Sequence, residues 1–204
     1  MYCTFYIVRH GETEWNVAGK LQGHHDSPLT EAGIRQAMER SGTFKNMKFA
    51  DAFSSDIFRA QRTAEIISAD HQLVVKTSQL LRERSFGTYE GWEYQQFQDE
   101  LKEALELRES LSEEEQFAQH LAPEVESDAE IAERMIQFLR ETAVAYPGKN
   151  VLVVSHGGII KATLQKIGAL EHSHPSAARI QNLGYAVIDS DGVDFFVREL
   201  QGIA

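Results

Sequence analysis

The chain has 204 residues, of which 42% are hydrophobic and 25% are charged. This composition is ordinary for a globular protein and provides enough apolar surface for one sizeable core. The single cysteine, Cys3, excludes an internal disulfide and a cysteine-based metal site. We see no secretory signal and no apolar run near the ~20 residues of a membrane span, so we expect a cytoplasmic protein with no membrane partner.

The formal net charge of −11 is concentrated in one segment. Residues 99–130 contain 12 acidic and 2 basic side chains, whereas acids and bases nearly balance in the rest of the chain. Nucleic acids bind to clustered lysines and arginines, so this distribution excludes them as an expected partner. Most of these carboxylates are expected on a solvated helical face.

Strands and helices alternate along the first half of the chain. An apolar run over 5–8 predicts a strand, and Thr30 is a candidate cap for a helix that Gly42 is expected to end. Three further elements are then predicted: a weak strand over 51–54, a helix over 57–69 and a strand over 73–77.

The second half continues the pattern after an interruption. Apolar residues from Phe97 to Leu105 predict an amphipathic helix inside the acidic segment. Ser127 and Glu130 form a capping-box pattern ahead of another helix. The remaining predictions are a strand over 151–154, a helix over 159–167, and a hairpin of strands 185–188 and 195–198 around Asp191-Gly192.

This alternation predicts an α/β fold in which helices cover both faces of a mainly parallel central sheet. The pattern lapses over about 92–127. We interpret that stretch as an insertion into a single domain that comprises residues 1–204.

Two histidines follow strands that are predicted to be buried. His10 comes directly after the first strand, and His156 follows the strand over 151–154. Arg59 and Glu83 come after two other predicted strands. Because ligands bind at the carboxyl edge of an open α/β sheet, we expect these side chains to meet there.

This set of side chains suits phosphoryl transfer. A neutral imidazole can attack phosphorus and form a covalent phosphohistidine. Arginines such as Arg9 and Arg59 offer planar donors to phosphoryl oxygens, and Glu83 can protonate the departing oxygen. Taken singly, each residue also has an ordinary explanation, because Arg59 can face water and Glu83 can form a surface ion pair.

Other chemistries have weaker support. His24 and His25 are adjacent and would rarely both bind one ion, so no metal is expected. No Gly-x-Gly-x-x-Gly follows the first strand, and the chain has no P-loop motif. We therefore expect no cofactor.

The ordered motifs resemble the histidine phosphatase superfamily, the phosphoglycerate-mutase-like group. FYIVRHGETEWN at 5–16 is similar to its opening signature, and QGHHDSPLT at 22–30 to the segment that follows in phosphatase members. Later blocks also match in order, at Ser54-Ser55 with Arg59, Leu81-Arg82-Glu83, Ser155-His156-Gly157-Gly158 and Asn182. The resemblance covers nearly the whole chain.

The resemblance implies a role for each matching residue. His10 is the implied nucleophile and Glu83 the implied proton donor. The other implied contacts to phosphate or substrate are Arg9, Asn16, Gln22, Gly23, Arg59, Arg84, His156 and Gly157. It further implies a three-layer α/β sandwich, metal-independent chemistry, and a small helical lid formed by the insertion at about 92–127.

The resemblance leaves three functions open. We favour a phosphomonoesterase for a small phosphorylated metabolite, because residues 93–130 offer only Lys102 and Arg108 as fixed cations, whereas mutases place paired arginines there. Arg84 directly after Glu83 resembles the mutase pattern, so a phosphoglycerate mutase is the second possibility. The third is a catalytically silent binding or regulatory relative. The sequence determines neither the substrate nor the oligomeric state.

Overall fold

The computed structural model of the protein describes residues 1–171 and 179–203. The strands of the described part are β1 Cys3–Arg9, β2 Phe49–Ser55, β3 Val75–Ser78, β4 Asn150–Ser155, β5 Ile180–Ser190 and β6 Phe195–Ile203. Its α-helices are α1 Glu14–Val17, α2 Glu31–Phe44, α3 Phe58–Ser68, α4 Tyr94–Glu100, α5 Lys102–Glu109, α6 Glu113–Ala118, α7 Asp128–Ala145 and α8 Gly157–Lys166.

The strands form one sheet in the order β3-β2-β4-β1-β5-β6. The first four strands in that order pair in parallel, while β5 and β6 add an antiparallel hairpin beside β1. The predicted α/β fold with a mainly parallel sheet is therefore confirmed. The predicted hairpin is confirmed as well, and the Asp191 side chain accepts hydrogen bonds from two backbone amides of its turn.

Alternate residues of β1 point into two different apolar cores. Phe5 and Ile7 pack with buried residues of α7 and α8, whereas Val8 packs with buried residues of α2 and α3. Strand side chains alternate between the two faces of a sheet, so a strand that is apolar at every position is buried on both. This arrangement gives the three layers of the predicted sandwich.

Helix caps follow the sequence closely. The Thr30 hydroxyl accepts a hydrogen bond from the Gly33 amide at the start of α2, and Ser127 with Glu130 forms the predicted capping box of α7. The predicted stop at Gly42 is wrong, because α2 continues to Phe44. Phe44 is fully buried in the core, and this packing outweighs the roughly 1 kcal/mol penalty of a helical glycine.

Two other predicted boundaries need correction. The strand predicted over 73–77 begins at Val75, because Gln72 adopts a left-handed conformation with φ 55° and pairing with β2 starts only at Val75. The helix predicted through Phe97 and Leu105 is divided into α4 and α5 at Leu101, whose φ of −100° and ψ of 21° are not helical.

The insertion segment, residues 92–127, contains the short helices α4, α5 and α6. Phe97 and Val125 bury their side chains in a small apolar cluster that includes Leu21. Phe117 of α6 instead joins the main core that contains α7 and α8. The insertion segment is therefore attached to the rest of the fold at two places.

Within residues 1–171 and 179–203, no helix combines the length and apolar character that a bilayer span requires.

Gly33 and Gly42 allow a matched test of packing in α2. A Cβ at Gly33 would lie 2.1 Å from the Glu12 carbonyl oxygen, whereas a Cβ at Gly42 would meet nothing within 4 Å. We expect Gly33→Ala to lower the free energy of unfolding by about 1–3 kcal/mol through overpacking. Gly42→Ala should raise it by up to about 1 kcal/mol. Urea denaturation measures both, and a neutral Gly33→Ala would contradict the close approach of α2 to Glu12.

Candidate active site

His10 and His156 meet because β1 and β4 are aligned in parallel register. Arg9 pairs with Ser155 at the strand ends, and the His10 amide donates to the Ser155 carbonyl at 3.0 Å. The next residue of each strand is a histidine, and the two imidazole rings lie with centroids 5.2 Å apart. Both rings are almost completely buried.

The His10 ring has a defined tautomer. Its Nδ1 lies 2.7 Å from the Gly11 carbonyl oxygen. A carbonyl oxygen can only accept, so the proton of neutral His10 resides on Nδ1. Nε2 therefore keeps its lone pair. Burial lowers the pKa of His10 well below its usual value, and Arg59 and Arg9 lower it further, so the ring is neutral at neutral pH.

His156 caps the start of α8, and both of its ring nitrogens are buried without a hydrogen-bond partner among the described residues. Burial lowers the pKa of His156 well below its usual value, with Arg59, His10 and Arg9 acting in the same direction. A neutral imidazole has one N–H, so His156 can donate to an anion without carrying a charge.

Two arginines bring positive charge to the histidine pair. Arg9 is held by a hydrogen bond from its Nη1 to the Ile180 carbonyl at 2.5 Å. Arg59 donates to the carbonyls of His25 and Gly23 at 2.7 and 2.8 Å. The Nε atoms of both arginines are buried and lack a partner among the described residues.

Burial is the main electrostatic effect on these arginines. It lowers the pKa of Arg9 to about 10, partly opposed by the Glu83 carboxylate. Burial also lowers the pKa of Arg59, while Asp26 and Glu83 raise it. Both guanidinium groups remain charged at neutral pH, and in a site of low polarity their charge acts strongly on a bound anion.

Glu83 lies at the amino terminus of α8. Its carboxylate accepts hydrogen bonds from the amides of Gly158, Ile159 and Arg84 at 2.9 to 3.1 Å. A Cβ at Gly158 would lie 2.5 Å from the Glu83 carboxylate, so a larger residue there would displace this carboxylate. The backbone carbonyl of Glu83 in turn accepts from His24 and Arg134. The acid is therefore fixed from both sides.

The predicted phosphate contact Asn16 borders the same cavity. Its side-chain oxygen accepts from the Thr13 amide and the Asn182 amide group, each at 3.2 Å. A donor role toward an anion therefore falls to its nitrogen. Asn182 also donates to the His10 carbonyl at 3.0 Å, and so links β5 to the end of β1.

Gln22 and Gly23, two further predicted contacts, lie in the loop that holds Arg59. The buried Gln22 side chain accepts from the Ser27 hydroxyl at 3.1 Å. Gly23 has a φ of 54° and presents its carbonyl to Arg59. Both residues shape the loop that holds Arg59, and Glu90 fixes that loop by accepting from the amides of His24 and His25.

Arg84 and Gly157 are separated by the structure. Gly157 lies beside Arg9, where a Cβ would come within 3.3 Å of Nε. Arg84 instead borders a second cavity under the insertion segment and donates to Asp128 and to the Glu126 carbonyl. Arg84 therefore lies in the wall of the neighbouring cavity. The other predicted residues that the structure brings together are Arg9, His10, Asn16, Arg59, Glu83, His156 and Gly157.

A cavity of about 560 Å³ adjoins the site and has Arg9, Asn16, Glu83 and Gly157 in its walls. Besides predicted residues, its walls include Trp15, Tyr94, Lys161 and Arg179, which the sequence analysis missed. The position of Lys161 could have been predicted from the sequence, because it lies one helical turn after Gly157 on α8. Tyr94 and Arg179 gave no comparable signal. Burial lowers the pKa of Lys161, and Asp128 opposes this shift.

Metal-binding side chains are not grouped in this region. Among residues 1–171 and 179–203, no cluster of three or more histidine, cysteine, aspartate or glutamate side chains is arranged to hold an ion. His24 and His25 instead use their backbone amides to bind Glu90.

Comparisons with known proteins connect the chain to one superfamily. Residues 5–201 match the model of the histidine phosphatase superfamily, branch 1. The chain is 34% identical to the uncharacterized phosphatase PhoE of Bacillus subtilis, covering 79% of this chain and 75% of that protein. It is also 34% identical to the probable phosphoglycerate mutase GpmB of Yersinia pestis, covering 90% and 83%. The solved structure of Bacillus stearothermophilus YhfR superposes with a TM-score of 0.84 at 27% identity, covering 98% of this chain and 96% of that one.

The buried neutral histidines predict a pH dependence of stability. An unfolded histidine takes up a proton below about pH 6.5, whereas His10 and His156 in the folded chain do not. The unfolded state then binds more protons, so stability is full above that pH and falls below it. We expect a loss on the order of 1 kcal/mol for each buried histidine between pH 7.5 and 5.5.

Urea denaturation in phosphate-free buffer measures this loss. His156→Asn should remove about half of the dependence, whereas His25→Asn, which replaces an exposed ring, should retain it. Equal pH dependence in the wild type and His156→Asn would contradict the assignment.

Proposed function

The chain belongs to the histidine phosphatase superfamily, branch 1, and from this membership we propose that it is a metal-independent phosphomonoesterase that uses a phosphohistidine at His10. The substrate of this proposal is a small phosphorylated metabolite. The relatives are named as phosphatases or as phosphoglycerate mutases, so an enzyme that transfers or hydrolyses phosphoryl groups is the common ground.

The observation that carries the proposal is a set of buried donors around the His10 ring. Arg9 Nε, Arg59 Nε and the one N–H of the neutral His156 ring are buried without acceptors among the described residues. A buried donor without an acceptor costs about 1–3 kcal/mol. A phosphoryl group has several anionic oxygens and would offset this cost at all of these positions. The fixed, planar arginines suit its equatorial oxygens.

The first half-reaction breaks the ester bond. The Nε2 lone pair of His10 attacks phosphorus, and the bond from phosphorus to the leaving oxygen breaks. The hydrogen bond from Nδ1 to Gly11 stabilises the positive charge that develops on the ring. Glu83, in its protonated form, gives its proton to the leaving oxygen. Arg9, Arg59 and His156 bind the oxygens as charge shifts during the transfer.

The second half-reaction returns the enzyme to its starting state. The Glu83 carboxylate takes a proton from water, whose oxygen attacks the phosphohistidine. The bond from nitrogen to phosphorus breaks and inorganic phosphate leaves. The three backbone amides at Glu83 keep its oxygens oriented for both proton transfers, since the same acid must act in each step.

The insertion segment is proposed to act as a lid within a single domain. Tyr94 from α4 borders the catalytic cavity, and other residues of the segment line the second cavity beside it. A cover of this kind limits the access of water and defines the space for the leaving group.

Phosphoglycerate mutase activity is the second candidate. Arg84 follows Glu83 directly and borders the second cavity, where it could meet a carboxylate of a phosphoglycerate. The named mutase relatives are as similar in sequence as the named phosphatase. Arg84 is, however, already paired with Asp128, which weakens this alternative.

His10→Ala tests the proposed nucleophile. We expect loss of p-nitrophenyl phosphate hydrolysis with an unchanged fold, because the ring is at a strand end and contributes its chemistry rather than core packing. His120→Ala, which changes a histidine of the insertion segment outside both cavities, should retain activity. Wild-type turnover should also persist in the presence of a chelator.

Three results would overturn parts of this proposal. Retained turnover in His10→Ala would remove the nucleophile, and chelator inactivation that one divalent ion reverses would remove the metal-free mechanism. The products formed from 3-phosphoglycerate separate the two candidates: isomerisation much faster than phosphate release would establish the mutase.

Glu83→Gln should affect substrates according to their leaving groups. An alkyl phosphate needs a proton on its leaving oxygen, so we expect a loss of about 10²–10⁴-fold in kcat/KM. The nitrophenolate ion leaves without a proton, so the loss for p-nitrophenyl phosphate should be much smaller in the first step. Glu100→Gln, at an exposed carboxylate of α4, is the control. Equal losses for both substrates would show that Glu83 is not the acid.

The same variant should accumulate the intermediate. Without a base to activate water, a phosphoryl group should remain on the peptide that contains His10, in an acid-labile and base-stable form detectable by mass spectrometry.

A further inference from the structure

A second cavity of about 280 Å³ adjoins the catalytic cavity. The two share Tyr94, Gly158 and Lys161 in their walls. Aromatic and amide side chains, such as Phe97 and Gln116, line much of the second cavity. Because Gly158 lines both cavities and its amide binds the Glu83 carboxylate, a leaving group that receives a proton from Glu83 would extend toward this space.

Two arginines are paired with one aspartate in the wall of the second cavity. The Asp128 carboxylate accepts from Arg84 through one oxygen and from Arg108 through the other, the latter at 2.5 Å. The exposed fractions of the Arg84, Arg108 and Asp128 side chains are only 13%, 18% and 15%. Such charge-assisted hydrogen bonds are strong when water is largely excluded.

The two arginines keep Asp128 in its ionised form. Burial acts to raise its pKa, but Arg84 and Arg108 outweigh that effect and hold the pKa of Asp128 below its usual value. The Asp128 charge also acts on Lys161. The Asp128 carboxylate therefore interacts with three cations around the cavity, namely Arg84, Arg108 and Lys161.

We propose that Asp128 is an internal counter-anion that makes the enzyme discriminate against substrates with a second anionic group. Arg84 and Arg108 have the charge and the shape to bind a carboxylate or phosphate on the leaving group. Asp128 already provides that carboxylate and occupies donors of both arginines, so a second anion must compete with it for them. This inference rests on the proposed phosphatase function and assigns its substrate class.

The favoured substrates are thus monoesters whose leaving group is uncharged, with hydroxyl, amide or aromatic character. Phe86, Phe97 and Phe117 supply apolar contacts, and the neighbouring glutamines supply neutral hydrogen bonds. A second acidic side chain in this wall, Glu113, further offsets the positive charge that would attract an anion.

Asp128→Asn tests the proposal because it keeps the shape of the side chain and removes its charge. The probes are 4-carboxyphenyl phosphate and its neutral amide, 4-carbamoylphenyl phosphate, with 3-phosphoglycerate and glycerol 3-phosphate as a shorter pair. We expect the wild type to prefer the neutral member of each pair. The variant should shift the kcat/KM ratio toward the carboxylate by tenfold or more in at least one pair.

Two variants control this measurement. Glu31→Gln removes a carboxylate from the same helical position in α2, at an exposed site remote from the cavities, and should leave the ratio unchanged. Arg108→Gln combined with Asp128→Asn should reduce the gain, because Arg108 is one of the two guanidinium groups that the loss of the Asp128 charge releases. Thermal melting identifies any variant that fails to fold.

Binding without turnover separates this inference from the proposed function. The affinities of both probe pairs for His10→Ala and for His10→Ala/Asp128→Asn can be measured by calorimetry. A tenfold or greater gain for a carboxylate probe supports the role of Asp128 even if the wild type hydrolyses nothing, an outcome that would defeat only the phosphatase assignment. Unchanged ratios in both pairs, by turnover and by binding, would overturn the counter-anion while leaving the phosphatase intact.

Discussion

The register between β1 and β4 is the constraint on which the candidate site depends. It places His10 and His156 at the same level of the sheet, with the His10 amide bound to the Ser155 carbonyl. A shift of one residue would move every side chain of a strand to the opposite face. Both strands are apolar and buried on both sides. Packing in the two cores therefore fixes the register, and the register fixes the positions of His10 and His156.

Burial gives these groups their chemical character. The imidazoles remain neutral because water is excluded and two arginines lie close. The arginines remain charged, but the Nε donor of each lacks an acceptor among the described residues. Buried donors without acceptors lower the stability of the fold but favour the binding of an anion. Neighbouring residues must therefore prevent these side chains from turning toward other acceptors. The loop that binds Arg59, the Glu90 carboxylate that fixes this loop, and Arg134 behind Glu83 supply that rigidity.

The acidic segment contains two kinds of carboxylate. Of the 12 acidic residues at 99–130, ten are exposed, in agreement with a solvated surface. Glu126 and Asp128 are the exceptions, and both turn toward arginines beneath the insertion segment. The overall charge of the segment therefore does not predict the charge inside the second cavity. There, the contacts of Asp128 with Arg84 and Arg108 determine the local electrostatics.

The sequence by itself determined the layered α/β fold, the order of its elements and the residues that follow the strand ends. Those features depend on local periodicity and on the topology that parallel strands require, and both can be read from apolar spacing. It did not determine where α2 ends or that α4 and α5 are separate, because packing of Phe44 and the turn at Leu101 override local preference. Only the tertiary structure decided that Gln22 binds Ser27, that Arg84 is bound by Asp128, and that Tyr94 and Lys161 face the site. These contacts join residues that are far apart in the chain or lie on short irregular segments, and no periodic pattern encodes such pairings.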